Sequence, residues 1–233
     1  MFPNSMMTAE DIAREQASFM TKVYGWMSLA LFVTASVAMF VASTPSLVYA
    51  LASNKILFYG LIIGELLLVG YLAIAVMRMS ATMATAVFLG YAVLNGVTLS
   101  LIFLVYTAGS IASTFLVTAG TFAIMSAYGY YTKRDLTTLG NLLFMALIGL
   151  ILASVVNIFW QNSTLMWITT YAGVLIFVGL TAYDTQKIKE MNIIGNEGTD
   201  EDRKEAIRGA LTLYLDFINL FLYLLRILGG RRD

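Results

Sequence analysis

Long apolar runs separated by short polar interruptions dominate this chain, and the length of the runs decides how they are read. Crossing the hydrocarbon core of a bilayer takes about 20 predominantly apolar residues in helical form. Seven stretches reach that length: 23–43, 56–77, 82–106, 111–131, 139–160, 165–183 with Asp184 at its end, and 209–228. Most connections between them are a few residues long. The pattern predicts an all-α membrane protein with seven transmembrane helices. Ahead of the first span, Thr8 and Asp11 have the spacing of a helix start, which predicts a short surface helix through Lys22. The expected organisation is an N-terminal cytoplasmic segment (1–22), a seven-helix transmembrane domain (23–228) and a C-terminal tail (229–233). A cleaved signal peptide does not fit, because the first span is too long and lacks a basic leader. The one clearly polar connection is GNEGTDEDRKE (195–205). It lacks an EF-hand pattern and is expected to be solvated surface.

Composition sharpens the membrane reading. The 233 residues are 59% hydrophobic and 12% charged, where soluble domains carry about 25% charged residues. Net charge is zero and no basic block suggests nucleic acid. Cysteine is absent, which removes disulfide and thiol chemistry. Histidine is absent too, so Ser-His and Cys-His catalysis, HExxH zinc sites and imidazole proton switches are all excluded. A response to physiological pH must come from carboxylates. The expectation is a protein that is not an enzyme and holds no tightly bound cofactor.

Basic residues set the expected orientation. With the N-terminus in the cytoplasm, that side receives Arg14, Lys22, Arg78, Lys133, Arg134, Lys187, Lys189, Arg203, Lys204 and Arg208. The far side of the first six spans receives only Lys55. Arg226, Arg231 and Arg232 fall outside if the seventh segment crosses fully, so either the earlier bias overrides them or that segment is re-entrant.

Polar residues within the spans line up on faces. Thr212, Asp216, Asn219, Tyr223 and Arg226 form one stripe on the last helix. Tyr91, Asn95 and Thr98 do so on the third, and Thr114, Thr118, Thr121 and Tyr128 on the fourth. Lipid cannot solvate such stripes, so they should face other helices and at the least hold the bundle together. Gly60 and Gly64 form a GxxxG on the second span.

Three acidic residues lie within spans, where a charge costs roughly 2.5–3.5 kcal/mol on insertion scales. Glu65 is near the centre of the second and should be protonated or hydrogen-bonded to Asn95, Thr98 or another polar stripe. Asp184 ends the sixth, and Asp216 lies about 10 Å into the seventh at 1.5 Å per residue. Both aspartates fall in the same half of the membrane, on helices joined by one loop, and could meet. Two carboxylates in one low-dielectric site would share a proton and change charge with pH, giving a proton-controlled cation site without histidine. The plainer alternative is an ion pair, Asp184 with Lys187 or Lys189, or Asp216 with a neighbouring arginine. Arg78, ending the second span, could reach the headgroups or pair with Asp184.

The stretches LTAYDTQKI (180–188) and LTLYLDFINLF (211–221) resemble the sixth- and seventh-span signatures of the Bax inhibitor-1 family. VYGWM (23–27), YGYYTKRDL (128–136) and NLLFMALIGLILASVVN (141–157) resemble its proteobacterial branch, and the resemblance runs from about Val23 to Arg232. It implies a fold in which the last helix is central and two groups of three helices surround it. It also implies a pH-sensitive calcium leak in the bacterial inner membrane, governed by an aspartate pair that maps to Asp184 and Asp216. The family's latch arginine maps to Arg78, although the run of basic residues usual there is missing from VMRMSAT (76–82). Its acidic residue in the second helix maps to Glu65. Thr212, Asn219 and Tyr223 are the further pore-lining candidates. Calcium prefers 6–8 oxygen ligands, so two aspartates point to weak, transient contact with a partly hydrated permeant ion.

Other functions fit less well. Tyr183-Asp184 is half of an intramembrane aspartyl protease arrangement, but Asp216 lacks the GxGD glycines. A PAL motif is impossible with prolines only at 3 and 45. A rhomboid protease needs histidine, and a retinal protein needs a lysine inside its last span. A non-catalytic regulator that binds other membrane proteins, such as a membrane protease, is the serious alternative. A proton-coupled transporter would show Gly/Pro-interrupted helices, and few are seen.

Overall fold

The computed structural model describes residues 8–232; the outer residues of the expected N-terminal segment (1–7) and tail (Asp233) lie outside the described residues. The elements, all helical, are α1 (Ala9–Ala42), α2 (Pro45–Ser53), α3 (Lys55–Ala75) with a 3-10 turn at Val76–Arg78, α4 (Ala81–Leu99), α5 (Ile102–Val105), α6 (Ala108–Tyr131), α7 (Thr137–Trp160), α8 (Ser163–Met191) and α9 (Asp200–Leu228). Seven segments are long and apolar enough to cross a membrane: α1, α3 with its 3-10 turn, α4 with α5, and α6 to α9.

Local chemistry explains most boundaries. Thr8 and Asp11 form a reciprocal capping box at the start of α1. That helix does not stop at Lys22. Nothing between residues 9 and 42 breaks it, so the expected surface helix and the first span are one helix of 34 residues. Asn54 caps α3 by accepting from Leu57 N at 3.0 Å, and Ser80 caps α4 through Met83 N. Gln161, at φ 48°, ends α7 in the left-handed region. The connection at 44–54 is not a bare loop: Pro45, in the first turn of α2, starts a nine-residue helix. The third span tightens at Ser100, whose hydroxyl bonds back to Val97 O at 2.6 Å.

Two compact units make up the chain. One runs from the described N-terminus to Val105 and includes Met191–Tyr214; the other is Tyr106–Glu190 with the chain from Leu215 onward. Each holds three spans and part of α9. In the first, α1 and α4 approach closely at Gly96, where a Cβ would sit 2.7 Å from Thr34 O. Thr34 Oγ1 donates to Ala92 O and bonds the Tyr214 hydroxyl at 2.7 Å. The Tyr214 ring meets Phe88 and Tyr91 edge-on, both at 5.9 Å. In the second, Leu150, Ile176, Phe177, Leu180 and Leu220 form a buried cluster.

The polar stretch 195–205 departs from expectation. Its second half is the first turn and a half of α9, and Asp202, Lys204 and Glu205 are buried rather than solvated. The N-terminal turns of α1 hold it. Lys22 Nζ is 2.7 Å from Asp202 Oδ2 and 3.7 Å from Glu197. Glu15 accepts from Gly195 N at 2.7 Å, and Gly198 N donates to Asp202 at 2.8 Å. Buried charges need such partners, and here they lie some 180 residues away in sequence.

The seventh span crosses fully. α9 is one unbroken helix of 29 residues, about 43 Å at 1.5 Å per residue, too long and straight to turn back. Its tail pairs with the start of α6: Thr107 N donates to Gly230 O at 3.0 Å, and Tyr106 bridges Arg231. The last turns of α8 lie at the other end of α6, where Lys189 Nζ donates to Tyr130 O. Half of α9's apolar window is buried, against 6% for α7, as its polar stripe requires.

Candidate functional site

Asp184 and Asp216 meet in the second unit. Asp216 is buried, with 5% of its surface exposed, and Asp184 is half-buried. Their carboxyl groups are hydrogen-bonded to one another. Such a bond needs a proton on one of the two, because ionised carboxylates only accept. Asp216 Oδ2 is buried and receives no bond from any N–H or hydroxyl, so the partner carboxyl is its source of a donor.

Asp184 is held by the way α8 seats on α6 and α7. The helix continues to Met191, placing Asp184 two turns before its end and not at the end of the span. Ala182 O packs against Gly129, where a Cβ would be 2.1 Å away; the Tyr183 ring lies on Gly140, where a Cβ would be 2.5 Å away. Thr185 Oγ1 donates to Ser126 Oγ at 3.2 Å. One residue on, the buried Gln186 side chain donates to Arg134 O at 2.8 Å and accepts from Leu136 N at 2.9 Å. On the other side of the pair, Phe217 stacks against Phe115 and Phe122 of α6 at 5.2 and 5.5 Å, and Leu220 is fully buried.

The ion-pair alternative is not realised. Lys187 Nζ sits over the Tyr183 ring at 5.3 Å. Lys189 Nζ donates to Tyr130 O and covers its ring at 4.6 Å. The ion pairs among the described residues all belong to Lys22 or Lys204.

Other expected site residues fall elsewhere. Asn219 bonds its own helix at Leu215 O, as Thr212 does at Arg208 O, so both satisfy backbone acceptors. Tyr223 stacks on Phe177 at 5.9 Å, packs over Gly173 and bonds Ser154. Arg226 donates to Thr170 Oγ1 at 3.3 Å. Glu65 belongs to the first unit and accepts from Thr98, while Asn95 turns instead to the Tyr91 hydroxyl at 3.4 Å. Arg78 is exposed at the 3-10 turn, and no hydrogen bond or ion pair within its own unit holds it. The buried face of α6 carries Thr114, Thr118, Ser126 and Gly129; Tyr128, expected on that face, is exposed because steps of four from Thr114 carry it past position 128. Sequence reasoning missed Gln186, Ser126, Gly129 and Gly140. The only signal was the run of polar residues Asp184-Thr185-Gln186 at consecutive positions, where a lipid-facing helix would have placed apolar ones.

No group of three or more acidic side chains comes together among the described residues. Two carboxylates are therefore the acidic content of this site, far below the 6–8 oxygens of a dehydrated calcium ion.

Comparison with known proteins agrees with this geometry. A family model described as "Inhibitor of apoptosis-promoting Bax1" matches residues 16–233. The inner membrane protein YbhL of Escherichia coli (strain K12) is 53% identical over 232 residues, covering 99% of both chains. An uncharacterized protein of Borreliella burgdorferi is 46% identical over 215 residues, covering 92% of this chain and 93% of the relative. An uncharacterized membrane protein of Streptococcus pyogenes serotype M3 is 37% identical over 224 residues, covering 95% and 96%. With a match over nearly its whole length and seven membrane-spanning segments, the chain belongs to the Bax inhibitor-1 family.

Proposed function

We propose that this protein is a pH-sensitive calcium leak channel of the bacterial inner membrane, oriented with its N-terminus in the cytoplasm and gated by the protonation of Asp184 and Asp216. One observation carries the reading: two carboxyls on α8 and α9 hydrogen-bond to each other in a membrane-spanning segment. The bonded pair is the state that holds a shared proton. When that proton leaves, the bond is lost and two like charges repel at short range, which drives the helices apart and leaves a doubly negative site for a cation. The protein does no covalent chemistry in this reading, and calcium is a permeant ion held by no tight cage. Its relative YbhL is named as an inner membrane protein, which supports the location.

The test is calcium flux into liposomes from pH 5 to 8 for wild type, Asp184→Asn and Asp216→Asn. Flux should rise with pH in the wild type and lose that dependence in both variants. Wild-type flux that is absent or flat with pH removes the leak reading.

A further inference from the structure

Gln186 is the most heavily engaged polar side chain near the aspartate pair that the proposed gating leaves unused. It is 8% exposed, and both ends of its amide are taken by the backbone of the connection between α6 and α7: Nε2 donates to Arg134 O at 2.8 Å and Oε1 accepts from Leu136 N at 2.9 Å. Leu136 is the N-cap position of α7 and its own side chain cannot cap, so Gln186 supplies from another helix an acceptor that a Ser or Asp would supply locally. A second bond to the same region, Lys189 Nζ to Tyr130 O at 3.1 Å, follows one turn later. Below Gln186, Gly129 and Gly140 bring α8 into contact with α6 and α7 but allow sliding along smooth surfaces. The amide does not allow it: two directed bonds to backbone atoms two residues apart fix α8 along its axis.

We propose that Gln186 is the positioning residue of the aspartate pair, setting the axial register of α8 so that the Asp184 carboxyl meets that of Asp216. The proposal rests on the leak reading only for its functional consequence. Asp184 is two residues from Gln186, and a slip of α8 by one residue would move it about 1.5 Å, half the length of the hydrogen bond it makes. The charged groups facing Asp184 are Asp216 from α9 and Lys187 from α8 itself. Register therefore determines how well the pair holds its shared proton.

The test compares wild type, Gln186→Met and the milder Lys189→Met, each with and without Asp184→Asn. Two readouts are taken across pH: the infrared band of the protonated carboxyl, assigned by its loss in Asp184→Asn and Asp216→Asn, and calcium flux in liposomes. Gln186→Met should move the infrared midpoint to lower pH by about 0.5–1 unit, the size of one weakened hydrogen bond. The flux midpoint should follow, and neither effect should survive in the Asp184→Asn background. Lys189→Met should move both midpoints the same way by less, and it carries the test if Gln186→Met does not fold. Unchanged midpoints, or an equal flux change with and without Asp184, overturn the positioning role. A shifted infrared midpoint with wild-type flux flat across pH leaves the positioning role standing and removes the leak reading alone.

Discussion

Gly129 is where the structure makes its most exacting demand on a single residue. A Cβ at this position would lie 2.1 Å from Ala182 O, 2.9 Å from Ala182 C and 3.0 Å from Ala182 Cα. All three are backbone atoms of α8, so no side chain can swing away. To restore ordinary contact, α6 and α8 must separate locally by about 1 Å, an overpacking strain that costs roughly 1–3 kcal/mol. An alanine also gains about 0.5–1 kcal/mol over glycine inside a helix, and a control is needed to cancel that gain. Gly149 of α7 provides it, since nothing lies within 4 Å of the Cβ it would carry. Gly129→Ala should therefore be less stable than Gly149→Ala by about 1–3 kcal/mol, measured as loss of far-ultraviolet helix signal on heating or on titration with denaturing detergent. The Thr185–Ser126 bond, already 3.2 Å long, should break in the same variant. If Gly129→Ala matches or exceeds Gly149→Ala in stability, the close seating of α8 on α6 is wrong. The support claimed for Asp184 would fall with it.

Two further outcomes follow from groups outside the aspartate pair. Lys22→Met leaves Asp202, 2% exposed, with only backbone donors. Because Lys22 is itself 32% exposed, the cost is discounted from that of a fully buried pair to about 1–2 kcal/mol; cleavage of 195–205 by a glutamate-specific protease should then speed up about 5–30-fold, and an unchanged rate would refute the clasp. At the start of α7, hydrogen bonds from Thr137 hold the exposed Asp135 carboxyl below its ordinary value of 3.8. A depressed carboxyl contributes above its unfolded value and loses that contribution as pH falls through the folded one, so Asp135→Ala should speed amide exchange at Thr137 at pH 5 but not once wild-type Asp135 is itself protonated. Equal exchange in both proteins at pH 5 would show that this cap does nothing.

Read alone, the sequence determined the number of spans, their order and most of their ends, because the length of an apolar helix is matched to the bilayer residue by residue and needs no knowledge of neighbours. The caps at Thr8, Asn54 and Ser80 are local in the same sense, three residues from donor to acceptor. The sequence also placed Asp184 and Asp216 in the same half of the membrane on consecutive spans, and marked Glu65 for a partner on the third. What only the tertiary structure decided is which polar groups meet. The stretch 195–205 looked solvated because its charges have no local partners, and it is buried because Glu15 and Lys22 supply them from the far end of the chain. Asp184 looked able to pair with lysines one turn away, yet those lysines go to Tyr183 and to Tyr130, and the carboxyl goes to Asp216. Gly129 and Gly140 gave no signal in sequence, where a glycine in an apolar span is unremarked. In the fold, the missing Cβ is what lets α8 come close enough for its polar residues to reach a neighbour. Helix length is a one-dimensional property, and the meeting of two carboxyls depends on how separate helices approach and in what register, which no periodicity along a single helix encodes.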